Sequence, residues 1–232
     1  MTVEDFKNGQ VLLIDKPLEW TSFQVVNKLR WAIKKKFNLK KIKVGHAGTL
    51  DPLATGLLII CTGKFTKRIE SFQAQVKEYT GTITVGATTP SYDLETEIDN
   101  HFTTEHLTDQ LIKQTTLQFI GEIDQKPPIF SALKKDGIRL YELARAGETT
   151  EIKSRKVTID TFEITKIDSQ KINFRVVCSK GTYIRSLAYD FGKALKTGAH
   201  LSSLRRTKIG DFSVDDASTI EAFLNSIDFK HN

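Results

Sequence analysis

The spacing of hydrophobic and polar residues along this chain assigns most of its elements. Gln10-Val11-Leu12-Leu13-Ile14-Asp15 is a nearly continuous apolar run closed by Lys16-Pro17, the form of a buried strand. Thr21-Ser22-Phe23-Gln24 has the S/T-x-x-E/Q spacing of a capping box, and Val26, Leu29, Ile33 and Phe37 then recur with a helical period. Leu57-Leu58-Ile59-Ile60-Cys61 reads as a second buried strand, and Gly63–Arg68 leads into a short helical segment. Glu78–Val85 alternates, with Tyr79, Ile83 and Val85 on one face and threonines on the other, which predicts a half-buried strand.

The second half is less regular. Asp93, Glu95, Glu97, Asp99, Glu105 and Asp109 predict a solvated acidic loop. Thr103 or Thr104 is placed to cap a helix carrying Leu107, Leu111, Thr115 and Phe119. Gly121 to Ile152 is a long, charged, turn-rich insertion, in which Arg139 to Ala146 can form a short helix stopped by Gly147. An insertion of that kind inside a compact domain usually serves function. Strands are predicted around 157–167 and 172–179, then a helix with Ile184, Leu187, Phe191 and Leu195 on its apolar face. The chain closes with the basic run Leu204-Arg205-Arg206-Thr207-Lys208 and a small helix after Ser218. With no repeat and no linker, the pattern predicts one α+β domain over residues 1–232, with a mixed, largely antiparallel central sheet and flanking helices.

Composition narrows the class. At 232 residues, 39% hydrophobic and 27% charged, the chain is globular. No run approaches the roughly 18 apolar residues of a membrane-spanning helix. The acidic start, Met1-Thr2-Val3-Glu4-Asp5, has none of the apolar core of a secretory signal. Cys61 and Cys178 sit in strand-like apolar runs and are expected as buried, reduced thiols, which suits the cytoplasm. The net charge of +6 is unevenly spread. From Trp20 to Leu50 there is no acid, against Lys28, Arg30, Lys34, Lys35, Lys36, Lys40, Lys41 and Lys43. A solvated lysine-rich helix face is the ordinary explanation, but a span this long without one acid favours a polyanionic partner.

The candidate chemistry lies at the end of that basic span. Gly45-His46-Ala47-Gly48-Thr49-Leu50-Asp51-Pro52-Leu53-Ala54-Thr55-Gly56 holds one carboxylate between three glycines. Composition alone would make Asp51 an ordinary turn residue. Positive neighbours, however, hold a carboxylate ionised as a nucleophile or base. The nearest acids in sequence are Glu19 and Glu70, so there is no local carboxylate pair of the glycosidase kind. No HExxH, Cys/His metal cluster or Walker A sequence is present. A lone carboxylate on a basic surface remains.

That loop resembles the catalytic motif of the TruB family, the tRNA pseudouridine synthases that modify the T-loop uridine at tRNA position 55. Leu13-Ile14-Asp15-Lys16-Pro17, Lys77-Glu78-Tyr79, Ser131-Ala132-Leu133-Lys134, Cys178–Ser186, Gly198-Ala199-His200-Leu201 and Leu204-Arg205-Arg206-Thr207 follow in the family's order, over nearly the whole chain. The resemblance implies a pseudouridine synthase fold with a long RNA-binding insertion loop at about 121–152. It implies Asp51 as nucleophile on a flipped-out uridine, with attack on the base and a glycal-type elimination both open. Arg185 would pair with Asp51, and Tyr79 would stack on the uracil. Tyr183 and Leu204 would contact the nucleotide, and His46 would fill the space the uridine leaves. Lys16 and Pro17 would support Tyr79.

The RNA backbone would be held by Lys34, Lys35, Lys40, Lys41, Lys134, Lys135, Arg139, Arg205 and Arg206, reading the shape of the T arm. Extracting a stacked base costs a few kcal/mol, which such contacts help offset. The implied protein is a monomer with no metal, no organic cofactor and no membrane partner. It ends about where many family members continue into a PUA-type domain. One segment, Thr88–Glu97, matches less well, with Thr96 where a glycine is common. Two other readings remain: a synthase acting at another RNA site, and an RNA-binding protein without catalysis.

Overall fold

A computed structural model of the chain describes residues 1–131, 133–135, 137–146 and 151–228. The sequence reads as one domain; by its contacts the chain divides into two compact units, Met1–Tyr79 with Leu204–Asn232, and Thr80–Ser203.

The first unit is built on the strand Ala54–Thr62, buried at every residue except Thr55. Val11–Lys16 runs antiparallel to it, pairing Val11 with Cys61 and Lys16 with Gly56. Its other edge is shared. Val44–His46 pairs antiparallel, Gly45 opposite Cys61, whereas Leu204–Arg206 pair in parallel, Leu204 beside Ala54 and Arg206 beside Gly56. The sheet is therefore mixed. Alternation sends Leu58 and Ile60 to a core of Leu12, Ile14, Val26, Leu29, Ile33 and Phe223, and Leu57, Ile59 and Cys61 to another with Ala47, Phe72 and Ile209. Two buried faces explain why this strand is a continuous apolar run.

Helix Ser22–Lys36 begins where the sequence places it. Gln24 N–H donates to Thr21 Oγ1 at 3.1 Å, and Thr21 N–H donates to Gln24 Oε1 at 2.7 Å. A second helix, Val3–Asn8, was not expected; Thr2 and Asp5 form its capping box and it buries Phe6. Cys61 and Cys178 are both buried, and neither is in a disulfide among the described residues.

In the second unit the sheet order is Ala199–Ser203, Thr80–Val85, Lys171–Cys178, Arg155–Asp168 and Gly121–Gln125. Helix Ile184–Ala194 buries Leu187, Ala188 and Phe191, and the Phe191 and Phe174 rings meet Phe162 at 5.2 and 6.0 Å. One expectation changes, and the short helix expected within 139–146 forms. The helix expected after Thr103 or Thr104 is instead capped by Thr108, whose side chain accepts from Leu111 N–H at 3.1 Å, and spans Asp109–Thr115. That phase buries Ile112 and leaves Leu111 36% exposed. The basic run after Leu204 belongs to a long strand, Ala199–Ile209. The insertion opens with the strand Gly121–Gln125 and holds a two-stranded hairpin, Lys134–Lys135 with Ile138–Arg139, and helix Leu140–Arg145. The Gly147 stop lies outside the described residues. No described helix is long and apolar enough to cross a membrane.

Candidate active site

Asp51 lies in the connection between Val44–His46 and Ala54–Thr62, half-buried. Both its neighbours are tied down. Ser22, buried in the first turn of its helix, accepts from Leu50 N–H at 2.9 Å and donates to Leu50 O at 3.2 Å. Pro52 O accepts from Glu19 N–H at 2.8 Å and from Lys16 Nζ at 3.3 Å. The Asp51 carbonyl accepts from Ala54 N–H at 3.1 Å. The backbone on either side thus sets the direction of the Asp51 side chain. Ser22 was visible in sequence only as the residue after a helix cap.

Two buried cations back this loop. Lys16 is fully buried, and its ammonium donates to the carbonyls of Pro17 (2.8 Å), Trp20 (2.5 Å) and Pro52. Burial pulls its pKa down to about 8, against the attraction of Asp51, and Arg206 adds to the fall. The expectation was that Lys16 and Pro17 brace Tyr79. The hydrogen bonds of Lys16 run instead to the carbonyls around the aspartate's loop, while the Pro17 ring is exposed.

Arg206, expected on the RNA backbone, is only 1% exposed. Its Nε donates to Leu57 O at 2.8 Å and its Nη2 to Gly48 O at 3.1 Å, so it holds the loop to the sheet and is withdrawn from phosphates. Strand alternation sends the two adjacent arginines to opposite faces, and on Arg206's face the carbonyls of Leu57 and Gly48 take up its donors. Gly56, at φ 102°, makes the close approach possible, because a Cβ there would lie 2.3 Å from Arg206 O. Arg205 points the other way and makes a two-pronged ion pair with Asp15, at 3.0 and 2.7 Å.

His46 ends the strand before the loop. Burial lowers its pKa, the Arg206 charge lowers it further, and the Gly48 backbone opposes the shift. Its Nδ1 is buried with no hydrogen-bond partner among the described residues. The ring is therefore neutral at pH 7. Tyr79 is 8% exposed, on the buried face its strand pattern predicts. Leu204 is half-buried beside Ala54, three residues beyond Asp51, because of the parallel register.

In the second unit, Tyr183 sits at the cap position of helix Ile184–Ala194. Gln125 clamps its backbone through Tyr183 N–H to Oε1 (2.8 Å) and Nε2 to Tyr183 O (3.0 Å), and Arg155 lies 4.6 Å from its ring centre. Arg185 is 3% exposed. Its Nη1 donates to Phe130 O at 2.8 Å and Ser91 O at 3.3 Å, and its Nε lies 3.5 Å from Asp93. Asp93 corrects the reading of the acidic stretch as solvated: it is 6% exposed. Thr96 Oγ1 accepts from Ser91 N–H at 3.1 Å and shares a 2.9 Å hydrogen bond with the Ser91 hydroxyl, so the residue that departs from the family pattern ties this segment together. A partner 92 positions away in sequence gives Asp93 no local signal.

Of the other basic residues, Lys35, Lys40 and Lys41 are exposed and Lys34 half-buried. Lys134, Lys135 and Arg139 have backbones in the hairpin; their side chains lie outside what the structure describes. Among the described residues, no group of three His, Cys, Asp or Glu could hold a metal ion.

Comparison with known proteins agrees with the motif. The family described as TruB family pseudouridylate synthase (N terminal domain) matches residues 34–184, and the tRNA pseudouridylate synthase B C-terminal domain matches 185–232. The tRNA pseudouridine synthase B of Flavobacterium johnsoniae is 68% identical over 98% of this chain and 100% of its own. That of Phocaeicola vulgatus is 57% identical over 97% and 95%. Among solved structures, a chain of the archaeal box H/ACA sRNP complex is 27% identical with a TM-score of 0.70, over 99% of this chain and 57% of that one. A chain of an H/ACA RNP bound to a substrate RNA containing 2'-deoxyuridine is 30% identical with a TM-score of 0.67, over 95% and 53%. This chain spans just over half the length of both. With the family matched from residue 34 to the end and relatives this similar along almost their full length, the chain belongs to the TruB family of pseudouridylate synthases.

Proposed function

We propose that this chain isomerises the T-loop uridine at position 55 of tRNA to pseudouridine, with Asp51 as nucleophile on a flipped-out uridine. The observation that carries the reading is the anchoring of Asp51. A single carboxylate is held between two fixed residues, in a loop backed by the buried cations Lys16 and Arg206. Such preorganisation aims a nucleophile without cost at the moment of reaction.

The remaining roles follow the family motif. Tyr79 stacks on the uracil, and Leu204 and Tyr183 flank the nucleotide. His46, neutral and partly buried, occupies the place the uridine vacates. Arg185 is the aspartate's guanidinium partner, aimed by its own contacts with Asp93, Ser91 and Phe130. Moving ribose from N1 to C5 of the same uracil is redox-neutral: a C–N bond breaks, a C–C bond forms, and the C5 hydrogen leaves as a proton while N1 gains one. The proposed reaction uses no cofactor. The lysines of helix Ser22–Lys36 and of the segment after it hold RNA phosphates, the insertion loop meets the T arm, and the enzyme acts as a monomer in the cytoplasm.

The test is to incubate the purified chain with an unmodified tRNA transcript and map pseudouridine chemically. Product at the T-loop uridine is expected. Product at another position would contradict the substrate, and no product would contradict the catalytic reading in favour of RNA binding alone.

A further inference from the structure

Trp31 is 57% exposed in the middle of helix Ser22–Lys36, leaving most of a large apolar ring in solvent. Its surroundings are particular. Lys35 Nζ lies 4.9 Å and Lys28 Nζ 5.8 Å from the ring centre, one turn to either side. The span from Trp20 to Leu50 contains no acid. Lys28 also lines a cleft of about 510 Å³ with Trp20, Pro17, Thr55, Arg205 and Leu224. Of the two acids in that lining, Asp15 is already paired with Arg205, which leaves Glu221. An exposed aromatic ring bracketed by ammonium groups, beside a part-apolar cleft, has the two components of single-strand recognition: a stacking surface and phosphate contacts.

We propose that Trp31 is a stacking platform for an unpaired base of the RNA substrate, with Lys28 and Lys35 leaving the ring for the flanking phosphates and the adjoining cleft receiving a neighbouring nucleotide. The inference rests on the reading of RNA as substrate and adds a contact outside the catalytic loop. Trp31 is nine residues along the helix from Ser22, which holds that loop, so the platform lies about 14 Å away along the axis. That separation corresponds to about four stacked nucleotides. The contact therefore works on binding and register, and Trp31 does not touch the reacting uridine.

The chain has two tryptophans, so a Trp20→Phe variant leaves Trp31 as the sole indole reporter. Titrating that variant with tRNA transcript should quench Trp31 emission. In the wild-type background, Trp31→Ala should weaken tRNA binding by about five- to a hundred-fold, whereas Trp31→Phe should retain most of it. In single-turnover pseudouridine formation, Trp31→Ala should need a correspondingly higher enzyme concentration than wild type to reach half its maximal rate. Unchanged emission on tRNA binding, or an unchanged Kd for Trp31→Ala, would overturn the proposal. So would equal quenching by heparin, which has charge but no bases. Because quenching and Kd are read without turnover, a wild-type chain that binds tRNA and makes no pseudouridine would refute the proposed activity while leaving this inference standing.

Discussion

Arg206 donates to the carbonyl of Gly48 across 158 residues of sequence, and with its other donor on Leu57 O it ties the loop carrying Asp51 to the sheet. This guanidinium is buried and bonds only carbonyls among the described residues, so its contribution is placement.

Lysine at that position carries the charge but cannot reach both carbonyls with a planar fork. Arg206→Lys should lower kcat by at least about tenfold with KM for tRNA nearly unchanged, while Arg206→Ala, leaving the buried Leu57 carbonyl and the part-buried Gly48 carbonyl unmet, should also lose about 2–4 kcal/mol of stability. Steady-state kinetics and thermal unfolding check this. A KM effect with unaltered kcat would return Arg206 to phosphate binding.

Lys16 gives a pH signature. Its pKa is about 8 in the fold and 10.5 as the ordinary value, so between those pH values the unfolded chain holds more protons and stability rises with pH. The gain is complete above pH 10.5 and is lost as pH falls through 8. Against a Lys16→Met variant, wild-type stability should climb by about 3 kcal/mol across that window. Parallel curves would contradict it.

Much of this was legible in the sequence, for identifiable reasons. The Thr21–Gln24 capping box and the buried run after Gly56 are local signals, and both elements form where they are read. Asp51 was legible because glycines, a proline and a preceding basic span are all contiguous with it. Arg206 reads as a surface residue because it lies in a basic run, and burial along Ala199–Ile209 does not alternate; what buries it is the pair of distant acceptors, Leu57 O and Gly48 O. Asp93 reads as solvated because its ion-pair partner, Arg185, lies 92 positions away in sequence.

That pair makes its own prediction. Asp93→Asn should destabilise the chain by about 3 kcal/mol, since it removes a buried carboxylate charge 3.5 Å from the Arg185 guanidinium, and should reduce kcat through Arg185. Thermal unfolding and single-turnover rates measure both effects. A fully stable, fully active variant would show that the pair holds nothing in place.

The basic surface is tested through salt. Replacing Lys34, Lys35, Lys40 and Lys41 by glutamine should weaken tRNA binding and flatten the plot of log K against log salt by about three. An unchanged slope would mean these lysines are only solvated.

The central claim is that Asp51 is the nucleophile. It is tested most directly by single-turnover pseudouridine mapping on tRNA transcript with Asp51→Asn beside wild type, with binding measured in parallel. The expected result is product at the T-loop uridine from wild type and none from Asp51→Asn, at similar tRNA affinity. Undiminished product from Asp51→Asn would contradict it.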